Sequence, residues 1–307
     1  MQDQTTTEDK TRLRKGILLS LFAIFVFATQ DTATKLLVAD HSPFQITMMR
    51  FWAFAAMALV IVVRSGGARA AFASKYPGLQ ILRPILLVLD IWCFAFATGF
   101  LPLAELQAIT LVYPLVVTLA AIPILGERVG IFRFSAVFVG FCGALLIVRP
   151  GGLPLGVGVA CAMASAVSFA IYIVITRKVS ATDSSATSMA YVGAIGFLMT
   201  TAVGIFFWRT PDTTSLMLLL YIMATSCVAH GLLVVALGMA PASLLQPFNY
   251  TALPWGILFG YIVFGQMIDP IGLMGAVVIV GAGITVMLRE RVKRVPVAPD
   301  PTLPGKQ

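Results

Sequence analysis

Long apolar stretches, separated by short polar connections, follow one another along most of this chain. A transmembrane helix needs about 20 predominantly apolar residues, and the chain contains ten stretches of roughly that length. Their predicted limits are 17–37, 44–63, 79–100, 103–123, 131–149, 153–176, 186–208, 214–238, 241–263 and 271–288. Because the connections leave no room for a soluble domain, the pattern predicts an all-α polytopic membrane protein with ten transmembrane helices.

The composition supports this prediction and excludes several classes of protein. Hydrophobic residues make up 59% of the chain, charged residues make up 11%, and the mean hydropathy is +0.95. A soluble domain is usually about 25% charged, so a cytosolic enzyme or a disordered chain is excluded. The four cysteines lie within apolar stretches without disulfide or metal-ligand spacing, and no cofactor or metal is predicted.

Polar segments flank the predicted spans at both ends. The basic head at 1–15 and the Pro-rich tail at 290–307 are expected to be disordered. Basic residues before an apolar stretch can also begin a signal peptide. Here the apolar character continues to Val38 and the stretch has a counterpart later in the chain, which favours a first span.

The distribution of basic residues predicts the orientation. With the N-terminus inside, 17 Lys and Arg residues fall on the inner side, and only Lys35, Arg149 and Arg209 fall on the outer side. The positive-inside rule therefore places both termini in the cytoplasm, as in a multi-pass protein of a bacterial inner membrane. The net charge of +8 follows from this topology and requires no nucleic-acid partner.

A repeat of about 140 residues relates the two halves of the chain. Offsets of 139 or 140 relate Leu106-Gln107 to Leu245-Gln246, Leu125-Gly126 to Phe264-Gly265, and Tyr113-Pro114 to Leu253-Pro254. Since the period spans five helices, the second copy is inserted upside down. The sequence thus predicts two inverted repeats, at 16–150 and 151–289, and a substrate site near the midplane between them.

Several of these residues also form motifs of a known family. They are Leu103–Ala108, Tyr113-Pro114-Leu115, Leu125-Gly126-Glu127-Arg128, Lys35, Arg50, and the run from Ala242-Ser243 to Pro247. In these motifs the chain resembles the drug/metabolite transporter superfamily, EamA type, over residues 15–290. The resemblance implies two inverted five-helix bundles, alternating access without nucleotide hydrolysis, and a cavity lined mainly by the third, fourth, eighth and ninth spans, with the first and sixth. Gln266 departs from the pattern, because it replaces the acid that follows the equivalent glycine.

The spacing of Asp31, Lys35 and Arg50, together with the run Pro241–Tyr250, looks most like the branch that includes riboflavin and S-adenosylmethionine uptake proteins. This resemblance implies a small-molecule substrate, and an aromatic cavity with few charges favours a flat, vitamin-like heteroaromatic compound such as riboflavin. Export of amino acids or other metabolites is the alternative transport function. An intramembrane enzyme or a channel would be a protein of a different functional class. Transport coupled to protons is one possible mechanism. Both a monomer and a homodimer are compatible with the sequence.

Asp90 lies near the middle of the third predicted span. An ionisable group at this depth is costly and is by default a functional hypothesis. Its carboxyl group suits proton coupling or the binding of a cationic substrate group. The alternative is a structural acid held by a hydroxyl group such as that of Thr110 or Tyr113. Asp90 stands alone at the midplane, which does not favour an intramembrane protease with two acids.

Asp31, Lys35 and Arg50 are predicted to form a charged cluster toward the outer face. Asp31 and Arg50 each lie six residues inside their spans, a depth of about 9 Å at 1.5 Å per residue, so they can meet. Lys35 is one turn from Asp31 on the same helix. The cluster is either an ion-paired lock between two helices or an outer gate.

Further substrate contacts are predicted from polar and aromatic residues at membrane depth. His230 and Asn249 both lie about 12 Å from the inner face, on adjacent spans. The remaining candidates are Trp92, Tyr113, Gln246, Phe248 and Tyr250. The aromatic ones lie too deep for an interfacial belt, so some are expected to stack on a flat ligand.

Prolines interrupt the fourth and ninth predicted spans, which are equivalent in the repeat. Pro114 lies in the fourth span, and Pro247 and Pro254 lie in the ninth. Proline inside a helix kinks its axis, and broken helices are tolerated at membrane depth where they line a cavity. The prolines therefore predict helix breaks beside the substrate site.

Overall fold

A computed structural model describes residues 2–126, 130–148, 156–266 and 270–292. These residues form thirteen α-helices, one short 3-10 helix at Ile205–Phe207, and no strand. In chain order the helices are α1 (Gln2–Leu37), α2 (Pro43–Arg64), α3 (Ala68–Ala71), α4 (Pro77–Thr98), α5 (Leu103–Thr110), α6 (Tyr113–Leu125), α7 (Ile131–Val148), α8 (Val157–Val179), α9 (Ser185–Gly204), α10 (Thr213–Met239), α11 (Ala242–Asn249), α12 (Ala252–Phe264) and α13 (Pro270–Val292).

Seven segments of the described chain are long and apolar enough to cross a membrane. They match the predicted first to fourth and sixth to eighth spans, and shorter apolar helices lie at the predicted fifth, ninth and tenth spans. An all-helical, polytopic membrane protein fits this arrangement.

The predicted disordered head is wrong, because α1 already begins at Gln2. Adding a residue to an existing helix costs far less than starting one, so the polar head continues the apolar helix that follows it. Of the predicted disordered tail, residues 290–292 are the end of α13, and residues 293–307 lie outside the described residues.

The predicted fourth and ninth spans each consist of two separate helices. Residues 111–112 separate α5 from α6, and residues 250–251 separate α11 from α12. The two broken segments are built alike, with 8 residues in each first helix and 13 in each second helix. Their helices begin 139 residues apart, at the offset of the sequence repeat.

At the predicted breaks, two of the prolines lie at the start of the following helix and do not kink a continuous one. Pro114 is the second residue of α6 and Pro254 is the third residue of α12. The first N–H groups of a helix have no intrahelical acceptor, so proline loses little there. Pro247 lies within α11, and its side chain is outside the described residues.

Each broken segment ends at a glycine in the left-handed conformation. Gly126 follows α6 with φ of 67°, and Gly265 follows α12 with φ of 64°. A residue with a Cβ atom adopts this conformation only at a cost, whereas glycine stops the helix there without one. The two glycines are also 139 residues apart, so the repeat includes the helix ends.

The main helix pairs each join the first half of the chain to the second half. In the described part, α1 packs against α10, α4 against α8, α2 against α9, and α7 against α13. The largest buried apolar cluster draws its residues from α2, α4, α6, α8, α9, α10 and α11. The two halves are therefore interleaved, and helices of both can surround one central site.

Helices α2 and α9 approach each other closely along glycines of α9. A Cβ atom at Gly193 would collide with the main-chain oxygen of Phe54, and one at Gly196 would collide with the ring of Phe51. At Gly204 it would lie 2.8 Å from the main-chain oxygen of Phe44. Glycines permit such close packing where helices associate in a membrane.

We expect Gly193→Ala to destabilise the protein by about 1–3 kcal/mol, because a main-chain oxygen cannot rotate away from the added methyl group. Thermal unfolding of the purified protein in detergent measures this effect. Gly231→Ala in α10 is the control, since no atom lies within 4 Å of a Cβ atom there. Equal melting temperatures for the two variants would contradict close packing of α2 against α9.

A hydrogen-bond network joins the α8–α9 connection to the segment before α4. The carboxyl group of Asp183 accepts hydrogen bonds from the Ser74 hydroxyl, from the Lys75 main-chain N–H at 3.1 Å and from Gln80 Nε2 at 2.9 Å. Partial burial opposes ionisation of Asp183, but these hydrogen bonds outweigh it and hold its pKa below the usual value. The network thus stabilises the ionised carboxylate.

We expect Asp183→Asn to lower the melting temperature at pH 7, and the difference from wild type to shrink in acid. A depressed folded-state pKa contributes stability that is complete above the unfolded pKa of about 3.9 and is lost as the pH falls through the folded value. Unfolding curves from pH 7 to pH 3 measure this dependence. Asp40→Asn, at an exposed position, serves as the control. If the difference in melting temperature between Asp183→Asn and wild type grows as the pH falls, the lowered pKa of Asp183 is contradicted.

Candidate functional site

A cavity lies among helices from both halves of the chain. Its walls come from α1, α2, α4, α5, α6, α8, α10, α11 and α12. Most of its lining is apolar, and its polar or ionisable residues are Gln30, Asp31, Thr34, Arg50, Asp90, Gln107, Thr110, Tyr113, Ser165, His230 and Asn249.

Both helix breaks border this cavity. Thr110 and Tyr113 flank the break between α5 and α6, while Asn249 and Ala252 flank the break between α11 and α12, and all four line the cavity. Non-helical backbone is tolerated at membrane depth where it lines such a space. The breaks predicted from the prolines therefore lie where a substrate site was expected.

Several aromatic side chains line the cavity. The ring of Tyr113 packs edge-on against Phe169 at 5.1 Å, and Phe27 packs edge-on against His230 at 4.8 Å. Phe94 adds another ring from α4. Edge-to-face packing holds rings at defined angles, so the cavity presents several fixed apolar surfaces to a ligand.

The three charged side chains of the lining are each held by a neutral partner. Asp31 accepts a hydrogen bond of 2.6 Å from Gln107 Nε2, and Asp90 accepts one of 2.5 Å from the Ser165 hydroxyl. Arg50 donates to the hydroxyl of another lining residue of α1 at 3.3 Å. The guanidinium group interacts electrostatically with both carboxyl groups, so a buried cation and two acids form one coupled set.

The predicted direct pair of Asp31 and Arg50 is replaced by a looser arrangement. Within the part of the chain that the structure describes, the two residues share the cavity, but Asp31 is hydrogen-bonded to Gln107 and Arg50 to Thr34. The hydroxyl group that holds Asp90 belongs to Ser165, and not to Thr110 or Tyr113 as one alternative supposed.

Lys35 lies apart from Asp31, contrary to the predicted cluster. Its ammonium group donates to the main-chain oxygens of Thr98 at 2.9 Å and Leu101 at 2.7 Å. These carbonyl groups follow the end of α4, where a helix has unpaired acceptors and favours a cation. The hydrogen bonds of Lys35 therefore link α1 to the end of α4.

His230 and Asn249 both line the cavity, as their matched depth suggested. The His230 ring also lies 5.5 Å from the ring of Phe54 and 6.4 Å from that of Tyr172. Asn249 Nδ2 donates to Gln246 Oε1 at 3.0 Å. Gln246 thus supports a lining residue without itself lining the cavity.

Trp92, Phe248 and Tyr250, which were predicted to contact substrate, also do not line the cavity. Trp92 packs edge-on against Phe44 at 5.4 Å, and Phe248 is buried. Tyr250 donates to a main-chain oxygen of α7 at 3.2 Å and packs where that helix has a glycine. Sequence depth does not indicate which side of a helix a ring occupies, so these packing residues resembled ligand contacts.

Sequence reasoning missed several lining residues as candidates. They are Gln30, Thr34, Gln107, Ser165 and Phe169. Thr34 lies three residues after Asp31 on α1, and helical spacing from a recognised acid could have identified it. Gln30 directly precedes Asp31, and this spacing does not indicate it. Ser165 lies among small residues and offered no such signal.

Within the part of the chain that the structure describes, three polar lining residues keep a buried nitrogen without a hydrogen-bond partner. These atoms are Gln30 Nε2, Arg50 Nε and His230 Nδ1. Leaving such an atom buried and unpaired costs about 1–3 kcal/mol. A ligand group that reached one of these nitrogens would remove this cost by accepting or donating a hydrogen bond.

Sequence comparison identifies one matching family twice along the chain. The EamA-like transporter family matches residues 14–149 and again residues 156–289. The two matches cover most of the chain and meet where the repeat divides it.

Three curated relatives have been assigned transport functions. The chain is 22% identical to an S-adenosylmethionine uptake transporter of Rickettsia prowazekii over 90% of this chain and 93% of the relative. It is 26% identical to a riboflavin transporter of Vibrio cholerae over 87% and 90%. It is 24% identical to a pseudopaline exporter of Pseudomonas aeruginosa over 89% and 95%. These relatives differ in cargo and in direction.

A solved crystal structure has a similar fold. It superposes with a TM-score of 0.73 at 18% sequence identity, covering 90% of this chain and 98% of the other. This likeness concerns the fold alone, and nearly all of both chains takes part in it.

Proposed function

Because the chain belongs to the EamA-like transporter family, we propose that it is a secondary transporter that moves a small organic metabolite across a bacterial inner membrane by alternating access. The central cavity carries this proposal. Its walls combine helices of both halves with two helix breaks, which is where secondary transporters of inverted-repeat type bind their substrates.

The proposed architecture is ten spans in two inverted repeats, 16–150 and 151–289, with both termini in the cytoplasm. Three features support the inversion: the broken segments have equal lengths, their terminal glycines share one offset, and the pair α1–α10 has its counterpart in α8–α4. In such an arrangement the two bundles rock about the cavity and expose it to each side in turn.

We expect reporter fusions after Arg177 and after Arg291 to report the cytoplasm, and a fusion after Gly151 to report the outside. The reason is the excess of Lys and Arg on the predicted inner side. Alkaline phosphatase and fluorescent-protein fusions measure the two sides. A cytoplasmic signal after Gly151 would contradict both the span count and the inverted repeat.

The proposed cargo is a flat heteroaromatic, vitamin-like compound such as riboflavin. The rings of Phe27, Phe94, Tyr113 and Phe169 support it, because planar ligands stack on such surfaces. The relatives that transport riboflavin and S-adenosylmethionine support it as well, since both cargoes contain a planar heterocycle. The coupled acids Asp31 and Asp90 make a proton the proposed coupling ion.

Export is the second candidate, and the exporter among the relatives favours it. Alternating access itself runs in either direction, so the driving gradient decides between uptake and export. An intramembrane enzyme or a channel would be a different functional class of membrane protein, and membership of a transporter family argues against both.

Counterflow in proteoliposomes tests the proposal. Vesicles that contain the purified protein and are loaded with unlabelled riboflavin should take up labelled riboflavin faster than unloaded vesicles, because the returning carrier is accelerated. Equal rates would indicate a pore. Absence of riboflavin transport, with trans-stimulated transport of another metabolite from a panel of nucleosides, amino acids and S-adenosylmethionine, would reject riboflavin and retain the carrier.

A further inference from the structure

Gln30 lies on α1, and two further cavity residues, His230 and Arg50, contact the same face of this helix. His230 packs on Phe27, Gln30 accepts from the Ser226 hydroxyl at 2.8 Å, and Arg50 donates to Thr34 at 3.3 Å. The α1 contact residues are numbered 27, 30 and 34, which is the spacing of one helix face. At 1.5 Å per residue they span about 10 Å along α1.

Each member of this row has an unused nitrogen. Gln30 Nε2, Arg50 Nε and His230 Nδ1 are buried and have no partner among the described residues, and their residues are between 1% and 7% exposed. Gln30 Nε2 and Arg50 Nε can only donate, whereas His230 Nδ1 donates or accepts according to its tautomer. A ligand that lies along the row must therefore present mainly acceptors to it.

Resting on the proposed transport function, we infer that Gln30, Arg50 and His230 form a hydrogen-bonding row that binds the carbonyl and ring-nitrogen edge of a planar, multi-ring ligand. The α1 residues in these contacts span about 10 Å, which is comparable to the length of a three-ring heteroaromatic compound. Gln30 is the new specificity-determining residue of this row. A hydrophobic hydrocarbon of the same shape leaves the three nitrogens unpaired, so the row discriminates by hydrogen bonding and not by size alone.

The two acids complement this row. Asp31 and Asp90 line the same cavity and are partly exposed, and each has a neutral donor on one carboxyl oxygen. Their other oxygens accept N–H groups of the ligand. An imide edge, in which an N–H group lies between two carbonyl groups, therefore fits the cavity better than an edge with acceptors alone.

Two probes test the inference on the purified, full-length protein in detergent. Lumichrome is a planar three-ring compound with an imide edge, and acridine is a planar three-ring compound without carbonyl groups. Equilibrium binding, followed by fluorescence, should be at least about tenfold tighter for lumichrome, which corresponds to one or two hydrogen bonds. Because this comparison needs no variant, it does not depend on the folding of one.

Variants of Gln30 test the row directly. Gln30→Leu removes the donor, and Gln30→Glu retains an acceptor for Ser226 while replacing the free donor by an oxygen. Both should weaken lumichrome binding about tenfold and leave acridine binding within about twofold of wild type. Gln45→Leu is the matched control, since this buried glutamine uses both amide atoms on Arg209 main-chain groups.

The outcomes separate this inference from the proposed function. Three results would each contradict the proposed hydrogen-bonding row. These are equal lumichrome affinity in wild type and both Gln30 variants, equal affinity of wild type for the two probes, and no lumichrome binding. Riboflavin counterflow that persists unchanged in the Gln30 variants would overturn the row and keep the carrier. Lumichrome selectivity that depends on Gln30, without riboflavin counterflow, would support the row and reject riboflavin as cargo.

Discussion

Asp90→Asn should abolish the accumulation of substrate driven by a pH gradient and leave substrate exchange across the membrane intact. The carboxyl group lines the cavity beside Arg50 and Asp31, so it can exchange a proton when the cavity opens. An amide retains the size and can still accept from the Ser165 hydroxyl, but it carries no exchangeable proton under these conditions. Exchange needs only binding and the movement of the two bundles.

The two activities are measured in the same proteoliposomes, with and without an imposed pH gradient. Ser165→Ala is the control, because it removes the hydrogen bond to Asp90 and preserves the ionisable group. Accumulation should persist in this variant. An equal loss of accumulation and exchange in Asp90→Asn would instead make Asp90 a contact for a cationic substrate group, and unchanged transport with a lower melting temperature would make it a structural acid.

Arg50→Met should destabilise the protein by about 1–3 kcal/mol and stop transport, because it removes the hydrogen bond to Thr34 and leaves the cavity acids without the buried cation of the same cavity. Adding Asp31→Asn should restore part of the stability. Asp31→Asn removes the charge and keeps an oxygen that accepts from Gln107. A double-mutant cycle from thermal unfolding and counterflow measures the coupling between the two residues.

Lys35→Met is the matched control for this cycle. Lys35 binds the main-chain oxygens of Thr98 and Leu101, so its loss should lower stability without coupling to Asp31→Asn. Strictly additive effects of Arg50→Met and Asp31→Asn would reject the coupled set. Strong coupling of Lys35 to Asp31 would restore the cluster predicted from the sequence.

The depth of a residue was predictable from the sequence, but its partner was not. Asp31 and Arg50 were placed at one depth, and both line the cavity. Their hydrogen-bond partners Gln107 and Thr34 depend on how the helices are rotated about their axes. Rotation results from the packing of whole helix faces, such as the glycine face of α9 on α2, and no single span records it.

Aromatic residues show the same difference between depth and direction. Tyr113 begins α6 after the first helix break, Tyr250 lies within the second break, and both were predicted to contact substrate. Tyr113 lines the cavity beside Phe169, whereas Tyr250 bonds to α7 at Val137. The two breaks are built alike, but the helices around them differ in sequence, so a tyrosine at each break need not have the same role.

The sequence by itself determined the membrane class, the approximate positions of the helices, the repeat and the two segments in which the helices break. These properties depend on the length of apolar stretches, on proline and glycine, and on matches at one offset, all of which are arranged in order along the chain. Only the tertiary structure decided which side chains line the cavity, that Ser165 and Gln107 hold the acids, and that Gln30 keeps a free donor. The physical reason is that a cavity is the space left between helices distant in the sequence, and its lining follows from their packing and rotation.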